Sequence, residues 1–212
     1  MFLKDSQMKN YRMKKKLILL ILIVVYVLSA QSCMVFGPLT LRAFPTAKLC
    51  FNISDINGPN SSFDDPAGIQ AGFIYPVAYF GDYMSLRPEI SISMAGGKYN
   101  DNGLKGRVNL LYAYLPVVLR YQTKNGFFGE AGLQPGLLLS AKDKYEGTTD
   151  NFMGHMNKFD LSVPLGIGYS FKNNFGIGLR VIPGLNDITK DEDVTERNFV
   201  MALGVTYTFK KK

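Results

Sequence analysis

The sequence predicts an all-β fold: an eight-stranded antiparallel up-and-down transmembrane β-barrel, preceded by an N-terminal signal peptide. The first observation is an alternation of large apolar residues with small or polar ones, which is clearest at residues 159–171 and 199–209. Alternate side chains of a β-strand point to opposite faces, so each of these segments has one apolar face. Each segment also has about the ~10 residues that a tilted strand needs to cross a bilayer. The spacing of the segments and the N-terminal sequence are the other two observations.

Eight alternating segments follow one another along the chain. They span residues 44–54, 68–80, 84–95, 108–121, 126–141, 158–171, 175–187 and 197–209. The short turns between them are 81–83, 122–125 and 172–174, and the long loops are 55–67, 96–107, 142–157 and 188–196. An even number of strands, joined by short periplasmic turns and longer outer loops, is typical of bacterial outer-membrane barrels. We therefore expect the protein in the outer membrane of a Gram-negative bacterium.

Prolines are the feature that fits this fold least well. The segments contain Pro76, Pro88, Pro116, Pro135, Pro164 and Pro183. Each lacks the backbone N–H that would donate to a neighbouring strand, so proline is normally confined to edge strands, strand starts and bulges. Because a closed barrel has no edge strand, we expect some of these prolines at bulges or strand ends.

The N-terminus has the order of a secretory signal peptide. Lys14–Lys16 precede an uncharged apolar run, Leu17–Leu28, and small or polar residues follow it. The run is shorter than the ~20 residues of a transmembrane helix. We expect cleavage near residue 30, with Met13 as an alternative translation start. This divides the chain into a signal peptide (1–30), a short lead (31–43) and an outer-membrane β-barrel domain (44–212).

The two cysteines leave alternatives open. Cys33 directly follows the expected cleavage region. It is therefore either lipidated, as in a lipoprotein, or unmodified after ordinary signal-peptide cleavage. Cys50 either pairs with Cys33 in an oxidising periplasm or is a small residue that faces the lumen.

The net charge of +7 belongs mainly to the targeting segment. Residues 1–30 hold six of the 24 basic residues and one of the 17 acidic ones, so the remaining 182 residues carry only +2. A chain of this length suits one domain, and we expect no nucleic-acid-binding patch on it.

The same alternation assigns a set of charged side chains to the barrel interior. These are Lys48, Arg87, Arg120 and Arg180 against Glu89, Glu130 and Asp160. The interior of an eight-stranded barrel is just wide enough for side chains to fill it. We therefore expect a structural ion-pair network rather than an ion or proton path. The fourth segment is less regular, because Leu110 and Tyr112 share the face of Arg120.

Tyr and Phe are expected to form the aromatic girdles at the membrane interfaces, because Trp is absent. One rim is predicted to hold Phe159 and Phe199, and the other to hold Tyr121, Phe127, Tyr169, Phe171, Phe175, Tyr207 and Phe209.

Residues with catalytic or ligand-binding chemistry do not form a recognisable motif. The single histidine, His155, lies in a predicted loop with no nucleophile or acid fixed beside it, so we expect a solvated histidine rather than a lipid hydrolase. The acidic run Asp187, Asp191, Glu192, Asp193 and Glu196 lacks the glycine-centred spacing of a calcium loop. The glycines Gly166, Gly168, Gly176 and Gly178 alternate within strands and precede no helix, so we expect small lumen-facing or closely packed positions rather than a phosphate loop. We expect no enzyme activity, no cofactor and no metal.

A soluble ligand-carrying barrel is the structural alternative, because its strands alternate too. Its outer face would then be the polar one, which here consists of Gly, Ser and Ala with few charges. Such a surface is unusual for a secreted soluble protein, so the membrane barrel is preferred.

Several stretches resemble the PorT family, also described as the outer membrane protein beta-barrel domain group of small porin-like proteins of Gram-negative bacteria. They are SLRPEIS (85–91), YLPVVLRY (114–121), GFFGEAGLQPGLLLSAK (126–142), LGIGYSF (165–171), FGIGLR (175–180) and TYTF (206–209). The chain departs from many such barrels in that Lys210–Lys212 follow the last aromatic residue.

The resemblance implies a porin-like or structural surface protein with a side-chain-filled lumen. Alternatively, it implies an accessory component of protein secretion across the outer membrane. The partners it implies are outer-membrane lipid, the barrel-insertion machinery and, for the alternative, secretion-system proteins.

Overall fold

The computed structural model of the chain describes residues 44–57, 67–101, 104–145, 148–190 and 196–209. The predicted signal peptide and lead, with Met13 and Cys33, lie outside the described residues, as do Asp191–Asp193 and Lys210–Lys212. The strands are β1 (Thr46–Asn57), β2 (Ala67–Ile74), β3 (Ala78–Phe80), β4 (Met84–Asp101), β5 (Leu104–Tyr114), β6 (Val117–Gln122), β7 (Phe127–Tyr145), β8 (Thr148–Asn151), β9 (Phe159–Ser162), β10 (Leu165–Ser170), β11 (Phe175–Pro183) and β12 (Arg197–Thr208). A short 3-10 turn spans Met153–His155. Within the described part of the chain, no helix is long and apolar enough to span a membrane.

The strands form one antiparallel sheet whose pairings close into a ring. Strand β1 pairs with β12 on one side and with β2 on the other. The ladder continues through β4 and β5 to β7, and β7 pairs with β10, which leads back through β11 to β12. A closed ladder satisfies the backbone N–H and C=O groups of every strand without an exposed edge.

The described residues form twelve strands where the sequence analysis predicts eight. Three of the additional strands arise because a buried, inward-facing proline interrupts a predicted segment. The interruptions are Pro76 between β2 and β3, Pro116 between β5 and β6, and Pro164 between β9 and β10. The fourth is β8, which pairs with β7 inside the predicted loop 142–157. Strands β4 and β5 also extend into the predicted loop 96–107.

Hydrogen bonds across the interruptions explain how a closed wall tolerates six prolines. The residue before each inward proline donates its backbone N–H to the carbonyl of an outward proline on the next strand. These bonds are Tyr75 to Pro88 (2.9 Å), Leu115 to Pro135 (2.9 Å) and Val163 to Pro183 (3.0 Å). The missing donors of the prolines therefore break the strands without separating them from their neighbours.

The two faces of the wall have the opposite polarity to those of a water-soluble protein. Large apolar side chains on the outer face are exposed, for example Phe51 (55%), Ile90 (61%) and Ile167 (66%). Charged side chains such as Lys48 and Glu89 lie inside and are buried. An exposed apolar surface that runs around the whole wall is stable next to hydrocarbon and not next to water.

Aromatic rings cluster at the end of the barrel with the short turns, which we call the short-turn end. It comprises the turns at 81–83, 123–126 and 171–174, and the opposite end is the long-loop end. The ring contacts there are Phe127 with Tyr169 (4.9 Å), Tyr169 with Phe171 (4.9 Å), Phe175 with Tyr207 (5.0 Å), Tyr207 with Phe209 (5.2 Å) and Tyr121 with Tyr83 (5.8 Å). Tyr83 lies in a turn, where strand alternation gives no signal. Of the other predicted rim, Phe159 is exposed and Phe199 is half-buried.

We predict that an arginine on the outer face destabilises the protein according to its depth in the bilayer. Leu203 is exposed in the middle of β12 and pairs with Phe51 and Leu179. Leu203→Arg is expected to lower the free energy of unfolding by about 2–4 kcal/mol, because it places a charge in hydrocarbon. The measurement is urea unfolding in phospholipid vesicles.

The matched control is Leu185→Arg. Leu185 is similarly exposed but lies beyond the end of β11, on the long-loop side. We expect Leu185→Arg to lower the free energy of unfolding by no more than about 1 kcal/mol, as for charges near the interface. Equal losses in both variants would contradict a lipid-facing wall.

Candidate functional site

Charged side chains in the lumen meet on the carboxylate of Glu89. Lys48 Nζ, from β1, donates to Glu89 Oε2 at 2.6 Å. The guanidinium of Arg180, from β11, donates to both carboxylate oxygens, with 2.8 Å between Nη1 and Oε2. All three side chains are buried, so each charge depends on the others for its stabilisation.

Glu130 on β7 is the second carboxylate of this cluster. Its Oε1 accepts a hydrogen bond from Arg180 Nε at 2.6 Å, and its Oε2 accepts one from Arg120 Nε at 2.8 Å. The guanidinium of Arg120 also lies over the ring of Phe128, 3.6 Å from its centroid. Lys48, Glu89, Arg180, Glu130 and Arg120 thus form one connected set, which we call the lumen network.

Arg180 bridges opposite walls of the barrel. In the ring of pairings, β12, β1 and β2 lie between β11 and β4 in one direction. In the other direction lie β10, β7 and the pair β5 and β6. The ion pair of Arg180 with Glu89 therefore spans the lumen at its diameter, while Arg180 Nε donates to Glu130.

Two of the seven predicted lumen charges do not join the network. Arg87 is buried on β4, and within the part of the chain that the structure describes it has no carboxylate at ion-pair distance and its Nε has no hydrogen-bond partner. Asp160 accepts a hydrogen bond from Tyr114 Oη at 3.1 Å instead of pairing with a cation. All seven side chains are buried, and the five that form the network comprise three cations and two carboxylates.

The alternating glycines provide the room that the network occupies. A Cβ at Gly166 would lie only 3.0 Å from Glu130 Oε1 and from Arg180 Cγ. A Cβ at Gly168 would clash with the ring of Phe128, which supports Arg120. The space left beside the network is a cavity of about 20 Å³, which is about enough for one water molecule.

An apolar cluster fills the lumen towards the long-loop end. It consists of Leu110, Tyr112, Tyr114, Leu138, Ala141, Met156 and Ile188, all of which are buried. Tyr112 and Tyr114 stack at 5.4 Å, and Asn198 Nδ2 donates to Tyr112 Oη at 3.4 Å. This cluster explains why Leu110 and Tyr112 share the face of Arg120 in the sequence: they point inward. Met156 and Ile188 come from loops, so no strand periodicity indicates them.

The loops that contribute Met156 and Ile188 are held together by hydrogen bonds that Asn157 donates to backbone carbonyls. Asn157 Nδ2 donates to the carbonyl of Thr189 at 2.6 Å and to that of Asp187 at 3.1 Å. The backbone N–H of Asn157 donates to the carbonyl of Ile188 at 2.8 Å. The two loops therefore close over the apolar cluster as one unit.

The other residues that the sequence analysis considered for catalysis, metal binding or disulfide formation are His155, the acidic run and Cys50. His155 is exposed in the 3-10 turn, and its carbonyl accepts a hydrogen bond from Lys190 N at 3.0 Å. Asp187 Oδ1 accepts hydrogen bonds from the backbone N–H groups of Thr189 and Glu196, each at 3.0 Å. Cys50 is buried on the inward face of β1. Among the described residues, no group of three or more His, Cys, Asp and Glu side chains is arranged to hold a metal ion.

We predict that Glu130→Gln destabilises the barrel strongly. It leaves Arg120 without a counter-charge and Arg180 Nε without its carboxylate partner, and breaking a buried pair in this way costs about 3–5 kcal/mol. The measurement is chemical unfolding of the refolded protein in vesicles. The control is Arg87→Gln, which removes a buried cation that lies outside the network. We expect this variant not to lower the free energy of unfolding. Equal destabilisation by the two variants would refute the network as the source of stability.

Comparison with known proteins agrees with this architecture. Residues 44–190 match the model of a family described as outer membrane protein beta-barrel domain. The chain is similar to the crystal structure of Neisserial surface protein A, with 13% identity and a TM-score of 0.56 over 79% of this chain and 97% of that one. It is also similar to Ail, the attachment invasion locus protein of Yersinia pestis, solved with the heparin analogue sucrose octasulfate, with 14% identity and a TM-score of 0.51 over 80% of this chain and 100% of that one. No curated protein matches the chain.

At these identities, the likeness to the solved structures is one of fold. The family match covers more than half of the chain and extends from the strand that carries Lys48 to the loop that carries Ile188. Together with the closed antiparallel ladder and its apolar outer wall, this match decides between the soluble and the membrane barrel. The chain belongs to the outer membrane protein beta-barrel domain family and lies in the outer membrane of a Gram-negative bacterium.

Proposed function

We propose that this protein is a closed, non-conducting structural barrel of the outer membrane, built from eight segments that each cross the membrane once. In this proposal, two strands that are separated by an inward proline form one crossing segment, because both pair with the same neighbouring strand. The pairs are β2 with β3, which both pair with β4, and β5 with β6 and β9 with β10, which all pair with β7. Strand β8 belongs to an outer loop.

The observation that carries the proposal is the ion pair across the lumen diameter. A conducting pore needs an open path, whereas here Arg180 and Glu89 join opposite walls. A barrel of eight membrane-crossing segments supports the same conclusion, because side chains fill the interior of a barrel of that size. The apolar cluster around Tyr112 adds a second obstruction nearer the long-loop end. Of the porin-like and structural readings of the sequence, these features favour the structural one.

We further propose that the protein is not an enzyme. Its single histidine is on an exposed turn, and the buried carboxylates Glu89 and Glu130 are each held by two cations. A carboxylate neutralised in this way is a poor general base. The partners that this proposal requires are the lipid around the outer wall and the machinery that inserts the barrel.

The role as a PorT-like accessory of protein secretion stays a prediction. Neither the family match nor the two structures described above supports it. A secretion phenotype after deletion of the gene would favour this alternative over the structural role.

The test of closure is a planar-bilayer recording of the purified, folded protein. We expect no stepwise conductance from the wild-type barrel, because the network and the apolar cluster obstruct the lumen in series. A large open porin inserted under the same conditions is the positive control. Stable, reproducible conductance steps from the wild-type protein would contradict the proposal.

A further inference from the structure

A cavity of about 670 Å³ opens at the short-turn end of the lumen, beyond the network. The turns at 123–126 and 171–174 contribute to its rim, and Arg87 and Arg120 lie at its inner end. Four basic residues line it, namely Arg87, Arg120, Lys124 and Lys172, and no Asp or Glu is among its lining residues. We call this cavity the vestibule.

Arg87 is the residue that distinguishes the vestibule from an ordinary basic surface. It is only 9% exposed, yet among the described residues its Nε has no hydrogen-bond partner and no carboxylate pairs with it. An unpaired buried charge is costly, so buried guanidinium groups are normally found with a counter-ion. Arg120 has such a partner in Glu130, whereas Arg87 does not.

The rest of the lining adds neutral hydrogen-bonding groups around this cation. The hydroxyls of Ser170, Thr206 and Thr208 and the amides of Gln122 and Asn174 belong to it. A guanidinium offers parallel N–H donors that match the oxygens of a phosphate group, and hydroxyls and amides satisfy the oxygens that remain. The cavity is therefore suited to an oxyanion that accepts hydrogen bonds in several directions.

We propose that the vestibule binds a phosphate group, with Arg87 as its principal donor. Two sources offer this chemistry at that position. The aromatic belt places the vestibule mouth near the headgroup level of the adjacent leaflet, which supplies phospholipid phosphates. The surrounding periplasmic solution supplies soluble phosphate. The proposal concerns a mouth of the barrel and is independent of whether the lumen conducts.

The test is isothermal titration calorimetry of the refolded full-length protein in a non-ionic detergent at constant ionic strength. One arm titrates inorganic phosphate, and a second titrates short-chain dihexanoylphosphatidylglycerol. Dihexanoylglycerol, which has the same chains without the phosphate, is the control for apolar binding. We expect the wild-type protein to bind at least one of the phosphate compounds and not dihexanoylglycerol. Binding in the lipid arm alone identifies a headgroup, and binding of inorganic phosphate identifies a soluble ligand.

Arg87→Gln is expected to weaken that binding at least about tenfold, because it removes a charge-assisted hydrogen bond. The matched control, Lys158→Gln, removes an exposed charge at the long-loop end and is expected to leave the affinity unchanged. Arg87→Lys keeps the charge without the fork and decides the question if Arg87→Gln does not fold. The proposal is overturned if the wild-type protein binds neither phosphate compound, or if neither Arg87 variant lowers the affinity.

Discussion

The ion pairs of Arg180 are the interaction on which the interior of this barrel depends. A single guanidinium contacts Glu89 on the opposite wall and Glu130 two strands away in the ring. Since the network holds three cations for two carboxylates, the loss of either carboxylate leaves a buried cation uncompensated: Lys48 without Glu89, or Arg120 without Glu130. The glycines at 166 and 168 are part of the same arrangement, because a Cβ at these positions would crowd Glu130 and Arg180 or clash with the ring of Phe128.

The wall that surrounds this network has two requirements to meet at once. It must bury polar groups inside and expose apolar ones outside, while every backbone group finds a partner. At the three inward prolines, the closed ladder keeps the residue before each break paired with the neighbouring strand. It does so because the outward prolines on neighbouring strands offer carbonyls to the residues that precede the inward ones. Inward and outward prolines thus have complementary roles.

The two ends of the lumen differ in chemistry. Towards the long loops, Tyr112, Tyr114 and their apolar neighbours fill the interior, and two hydrogen-bonded loops cover them. Towards the short turns, the interior widens into a basic vestibule without acidic residues. The network separates these regions, so a solute on one side of the membrane meets a packed apolar cluster, while one on the other side meets Arg87.

The sequence by itself determined the fold class, the two faces of each strand and the candidates for the lumen charges. These follow from a period of two, which is a local property of the backbone. The number of strands along the chain was not predictable, because whether a proline breaks a strand, as Pro116 does and Pro135 does not, depends on the hydrogen bonds that its neighbours make across the closed ring. Only the tertiary structure decided that Arg180 joins Glu89 to Glu130 while Arg87 is left unpaired. Pairing inside a barrel depends on distances across the lumen, and alternation along a strand contains no information about these.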